Sequence, residues 1–149
     1  MRRTDRRHGE RGTATVEFAL LLPVLVLLTL IVSEGSAVIR THQVLNNAAR
    51  EGARVSSLQD SALVDGASDP AVITAVKNAA VTYAATNGVT ISAANVTVNQ
   101  LLLVPTAGGV GVTASRVTID YSYPLTYLPN FGFSLSVPMS VSVEFKNFY

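Results

Sequence analysis

The chain has 149 residues, of which 48% are hydrophobic and 14% charged, with a net charge of +1 and a mean hydropathy of +0.36. Soluble domains carry about 25% charged residues, so the shortfall points to a membrane segment. One modest domain plus an anchor fits the length, and the absence of cysteine excludes both a disulfide framework and a thiolate metal site.

The small net charge hides an asymmetry. Residues 1–12 hold Arg2, Arg3, Arg6, Arg7 and Arg11 against Asp5 and Glu10, a local net of +3, while the remainder nets −2. Outside this basic leader, Arg40, Arg50 and Arg54 lie near Glu34 and Glu51 in sequence, so no nucleic-acid partner is expected.

Fifteen residues, Phe18 to Val32, then run without a charge. A membrane span needs about 20 residues, and residues 13–32 supply them by including Glu17. At about 1.5 Å per residue they cover roughly 30 Å, the thickness of a hydrocarbon core. The five arginines ahead of the span orient the N-terminus to the cytoplasm and the C-terminus outside. Pro23 removes one backbone donor within the run, which a membrane helix tolerates as a kink.

The helix is expected to continue to about residue 58. Val38, Leu45, Ala48, Ala49, Gly52 and Val55 recur near helical spacing, with charged and amide residues elsewhere on the wheel. Ala48, Ala49, Gly52 and Ala53 are small enough for another backbone to approach closely. Residues 59–69 read as a loop and linker. Asp69-Pro70 opens a second helix, with aspartate as N-cap and proline at the first helical position. Val72, Val76, Ala79, Ala80 and Tyr83 form its apolar stripe, and Asn87-Gly88 its stop.

Beyond it the pattern is that of strands. Val96, Val98 and Leu101–Val104 make one segment, and residues 105–111 a turn. Val117, Ile119, Tyr121 and Tyr123 alternate with Thr118, Asp120 and Ser122, a half-buried strand. Residues 129–132 read as another turn. Phe133, Leu135 and Val137, then Val141, Val143 and Phe145, alternate with polar residues, and Pro138 between them marks a turn, bulge or edge. One helix and about four strands give an α+β class: a small antiparallel sheet with a helix on one face. The expected organisation is a leader (1–12), a membrane helix with its extension (13–58), a linker (59–69) and an outer domain (70–149). From about residue 60 onward the chain is expected to fold weakly without its anchor.

The candidate site lies where the leader meets the span, at Gly12-Thr13-Ala14-Thr15-Val16-Glu17-Phe18. An acid at mid-membrane costs about 2.5–3.5 kcal/mol, and less near the edge. Cutting after Gly12 would give Thr13 a free ammonium one helical turn from Glu17, able to pair with it within a chain or between chains. The alternative is that Glu17 simply snorkels to the cytoplasmic headgroups. His8 and His42 are the only histidines, and no metal or cofactor is expected. No serine sits in a nucleophile-elbow context, Gly108-Gly109-Val110-Gly111 lacks the lysine of a phosphate loop, and neither arginine pair directly precedes the apolar run as a twin-arginine signal would. Asn95-Val96-Thr97 is a three-residue glycosylation match of a kind frequent by chance.

From Gly12 to Arg54 the chain resembles the TadE-type pseudopilins of tight-adherence (Flp, type IVb) pilus systems. The matching elements are Gly12, Val16-Glu17-Phe18-Ala19, Pro23, Glu34, Asn47-Ala48-Ala49-Arg50 and Glu51-Gly52-Ala53-Arg54, in order over 43 residues. Where relatives commonly place an aromatic and a glycine after the acid, this chain has Gly35-Ser36. The resemblance implies cleavage between Gly12 and Thr13 by a prepilin peptidase, with Glu17 and Phe18 serving assembly. It also implies partnership with other pilins and the pilus machinery, residence in the inner (cytoplasmic) membrane or a surface pilus, and no enzymatic activity. Two other readings compete. One is a secreted binding module with an ordinary signal peptide cut after Ala37, releasing 112 residues. The other is an anchored enzyme, for which no catalytic constellation stands out.

Overall fold

The computed structural model describes residues 7–58, 63–64, 67–105, 111–127 and 135–146. The chain divides into two units, Met1–Ala37 and Val38–Tyr149. A single helix, α1 (Arg7–Leu58), contributes to both. It is followed by β1 (Leu63–Val64), β2 (Ala67–Ser68), α2 (Pro70–Thr86), a 3-10 turn (Ala93–Asn95), β3 (Val96–Pro105), β4 (Gly111–Pro124) and β5 (Ser136–Lys146).

In the first unit α1 passes through Pro23 as one helix. Its apolar side chains are bare on every face: Val16, Leu21, Val24, Leu25, Leu28 and Ile31 are all exposed, and Leu20 reaches 72%. The hydroxyl of Thr29 donates to the Leu25 carbonyl at 2.8 Å, and that of Ser36 to the Val32 carbonyl at 2.9 Å. Bonds of this kind satisfy a hydroxyl without leaving its own helix, as an apolar surrounding requires. This helix is long and apolar enough to cross a membrane, consistent with a single-pass membrane protein.

The second unit places two helices on one face of a three-stranded antiparallel sheet ordered β3-β4-β5. Its core joins Leu45, Ala48, Ala49 and Ala53 of α1 to Val72, Val76, Ala80 and Ala84 of α2, and both to Val96, Val117, Ile119, Met139 and Val141 of the sheet. The outer domain assigned to 70–149 from sequence therefore lacks part of its own core, because residues of the α1 extension fill it. The expected close approach at the small residues is made by α2. A Cβ built on Gly52 would lie 3.4 Å from both Cγ1 and the carbonyl oxygen of Val76, and 3.5 Å from the Ala80 Cβ.

Helix α2 has the ends its sequence dictates. The Asp69 carboxylate accepts from the Ala71 amide at 2.8 Å, with Pro70 in the first turn. At the other end Gly88 adopts φ 81°, the Gly88 amide donates to the Ala85 carbonyl at 3.0 Å and the Val89 amide to the Ala84 carbonyl at 2.9 Å. That is a Schellman closure, which needs a residue free of a Cβ at the left-handed position. The apolar stripe is Val72, Val76, Ala80 and Ala84, with Ala79 and Tyr83 only half-buried.

Two strand expectations are corrected. Residues 59–69, expected as a loop, contain β1 and β2, which pair antiparallel with Leu63 opposite Ser68 and Val64 opposite Ala67. Two-residue strands are too short to show alternation, although the sequence between them, Asp65-Gly66, is a favoured hairpin dipeptide. The last two expected strands are partly one: β5 runs from Ser136 to Lys146 straight through Pro138, which pairs with Ser122. A sheet edge tolerates a residue without an amide hydrogen, and β5 is an edge. The expected turn at 129–132, the start of the Phe133 segment, and residues 106–110 of the turn expected at 105–111 lie outside the described residues. Pro105 and Gly111 do pair, as the ends of a hairpin.

Candidate processing and assembly site

Gly12, Thr13, Glu17 and Phe18 all lie on the first unit's stretch of α1 and are exposed there. Gly12 stands in open space: a Cβ at that position would meet nothing within 4 Å. Thr13 and Glu17 are four residues apart on continuous helix, about 6 Å along its axis and on one face. In the uncut chain the Thr13 nitrogen is an ordinary helical amide, so the ammonium that would answer Glu17 exists only after cleavage. Around the carboxylate the surface is apolar: Val16 and Phe18 are each 60% exposed. The helix thus presents one acid within a belt of bare hydrocarbon.

Farther along, Glu34 is buried, while Gly35 and Ser36 are exposed and a Cβ at Gly35 would meet nothing. The departure after the acid therefore falls on two exposed positions beside a buried one.

Sequence reasoning missed a polar cluster in the core of the second unit. Ser56 of α1, Gln100 of β3 and Ser115 of β4 are each 0% exposed. The Ser56 hydroxyl donates to the Ser115 hydroxyl at 2.8 Å, and the Gln100 amide donates to the Ser56 oxygen at 3.2 Å. The register of β3 on β4 slips between Asn99 and Leu102, setting Gln100 and Leu101 opposite Ser115. A bulge of this type kinks a strand locally. The one sequence signal was a glutamine interrupting the inward-facing valines of β3.

The opposite face of the sheet is polar and cross-linked. Arg116 pairs with Glu144, the Thr118 and Ser142 hydroxyls lie 3.1 Å apart, and the Ser140 hydroxyl donates to Asp120 at 2.6 Å. Each pair is directly opposite in the β4–β5 register. Asn95 of the glycosylation match is occupied in a capping box, its side-chain oxygen accepting from the Ser92 amide at 2.9 Å. A shallow depression between α1 and α2 is lined by Glu51, Asn78, Thr82, Tyr83 and Asn87, and another beside the sheet by Asp120, Tyr121 and Ser140. Among the described residues no three histidine, aspartate or glutamate side chains gather as metal ligands.

Residues 12–54 match the model of the family described as TadE-like protein. The chain carries a TadE-like segment. It begins at the glycine of the leader junction, includes the whole bare apolar stretch, and ends on the part of α1 that enters the core of the second unit. No curated protein and no solved structure matches the chain. The TadE-like segment supports involvement in Tad pilus systems.

Proposed function

We propose that the protein is a non-catalytic minor pilin, or pseudopilin, or an assembly factor, of a tight-adherence pilus. In this reading it sits in the inner membrane with the leader cytoplasmic and the second unit outside. A prepilin peptidase removes residues 1–12, and Glu17 with Phe18 then engages other pilins. The observation that carries the proposal is the TadE-like match over residues 12–54, beginning at Gly12 and holding a single carboxylate, Glu17, within an otherwise apolar run. An isolated charge in lipid favours any state where a cation meets it, and the new Thr13 amine is the nearest candidate.

The secreted-module reading has one observation in its favour, since the second unit begins at Val38, where a cut after Ala37 would fall. Against it, α1 is continuous helix across that position. Mass spectrometry of the mature protein separates the two: a Thr13 N-terminus in 137 residues supports the pilin reading, and a Val38 N-terminus overturns it. Assembly is tested with Glu17→Val and Glu17→Gln. Both variants are expected to insert and to be processed, with pilus production lost in the first and reduced in the second. Normal pili from an inserted, processed Glu17→Val protein would leave the snorkelling account of Glu17 as the better one.

A further inference from the structure

On the second unit's part of α1, the face turned away from the core is a ridge of long polar side chains. Arg40, Gln43, Asn47, Arg50 and Arg54 follow one another at alternating steps of three and four residues, and all are exposed. Together they extend about 21 Å along the helix. The sequence had set these arginines beside Glu34 and Glu51; in the structure only the Arg54–Glu51 pair forms, at 2.7 Å. Among the described residues Arg40 and Arg50 have no ion pair or hydrogen bond. The ridge therefore carries three guanidinium groups answered by one carboxylate.

The geometry points to a docking ridge for an acidic helix of a different subunit, with carboxylates on one face at the same three-and-four spacing. A second copy of this chain does not fit the ridge. Aligned copies would set arginine against arginine, and the described acids of the second unit outside α1 are Asp69, Asp120 and Glu144, on separate elements, with Glu144 already paired. A lipid surface is disfavoured as well. The opposite face of this helix is spent in the protein core, through Leu45, Ala48, Ala49 and Ala53, and cannot enter a membrane as an interfacial amphipathic helix does. A single file of guanidinium groups with amides between them suits the carboxylate fork of a neighbouring helix. The inference rests on the proposed role only in that a pilus subunit meets other subunits.

The test uses the full chain in phosphatidylcholine nanodiscs. The probe is a labelled synthetic helix of about three heptads with glutamate at three-and-four spacing on one face. A peptide of the same composition with its glutamates spread over all faces is the control. The patterned helix is expected to bind about tenfold tighter than the control, and salt should weaken it. Arg40→Glu/Arg50→Glu should abolish that preference and transfer it to a helix bearing lysine in place of glutamate. Arg40→Gln/Arg50→Gln, which removes charge alone, should weaken binding without the transfer. Equal binding of patterned and spread helices, or binding unchanged in both variants, overturns the inference. So does arginine-dependent association with phosphatidylglycerol vesicles in the absence of helix binding, which would assign the ridge to lipid. These outcomes are read on isolated protein, so they stand or fall apart from the processing and pilus tests.

Discussion

Two stretches of one helix, residues 13–33 and 38–58 of α1, solve opposite problems. The first distributes leucine, valine and isoleucine around the whole circumference, and none of them is buried by the chain. The second confines its apolar side chains to one stripe, chooses alanine and glycine for most of it, and buries them under α2 and the sheet. Both are α-helix, the donor missing at Pro23 aside, so helix formation itself does not decide the surroundings. The angular spread and the size of the side chains do. A helix apolar all round needs an apolar solvent, whereas a stripe of small residues needs a neighbouring backbone at short range.

The largest expected effect concerns where the second unit begins. A fragment starting at Val38 retains Leu45, Ala48, Ala49 and Ala53, and is expected to melt cooperatively. One starting at residue 60, the boundary that the linker composition suggested, loses that side of the core. Each buried aliphatic side chain contributes roughly 1.5–3 kcal/mol, against a whole-domain stability of about 5–15 kcal/mol. The shorter fragment should therefore show no cooperative transition by circular dichroism. A sharp melt from it would mean that α2 and the sheet suffice, and that the second stretch of α1 resembles the first more than its burial suggests.

Matched charge insertions sharpen the contrast. Ile119 is 0% exposed, so Ile119→Asp buries an unpaired carboxylate and should unfold the second unit. Ser122, exposed on the other face of the same strand, should accept aspartate with little change. Leu27 is 48% exposed, so Leu27→Asp should leave the melt unaltered and instead impair membrane insertion, at about 2.5–3.5 kcal/mol. Protease accessibility in membranes and thermal melts in detergent read the two effects separately. A melt lowered by Leu27→Asp would show that the two stretches are not distinguished by their surroundings.

Gly52 tests the close approach directly. A methyl group there just reaches contact with Val76 and Ala80, so Gly52→Ala trades a tight fit against a helix-propensity gain of about 1 kcal/mol and should be nearly neutral. Gly52→Val exceeds the space and should cost about 1–3 kcal/mol by overpacking. Gly35→Ala, in open space, keeps only the propensity gain. Denaturant melts of the three rank them; a harmless Gly52→Val would mean that α2 can move away from α1 without loss.

The sequence was most readable where a feature is local. The Asp69 cap, the Gly88 stop, the β4 alternation and the polar-in-apolar Glu17 each depend on residues within a few positions, and the α+β class followed from them. The polar cluster was not readable, because Ser56, Gln100 and Ser115 meet only once the bulge in β3 has formed, with Ser56 44 residues from Gln100 and 59 from Ser115. The membership of 38–58 in the core of the second unit was hidden for a related reason. A stripe of alanines is equally apt for a neighbouring subunit and for the chain's own second helix, and only the position of Val76 distinguishes them. The junction residues Gly12 and Thr13 stand out by their place between the basic leader and the apolar run, and by family resemblance, rather than by periodicity.

The smallest expected effect lies on the outer side of the same helix. Arg54 donates from Nε to Glu51 Oε2 at 3.0 Å and from Nη2 to Oε1 at 2.7 Å. That hydrogen bonding, with the nearby positive charge, holds the Glu51 carboxyl below its ordinary value of 4.5, partly opposed by desolvation. A carboxylate whose folded pKa is depressed stabilises the fold above the unfolded value and loses that contribution as pH falls through the lower, folded one. The pair is largely exposed, so water and salt screen it and its contribution is small. The melting temperature of the parent should therefore fall slightly more than that of Glu51→Gln between pH 6 and pH 3, by degrees rather than tens of degrees. Arg54→Gln should behave like Glu51→Gln, and the double variant should add little to either, since the two side chains share one interaction. A parent and Glu51→Gln that fall in parallel would show that the bidentate pair is absent in solution, leaving Arg54 as unanswered as Arg40 and Arg50 along the ridge.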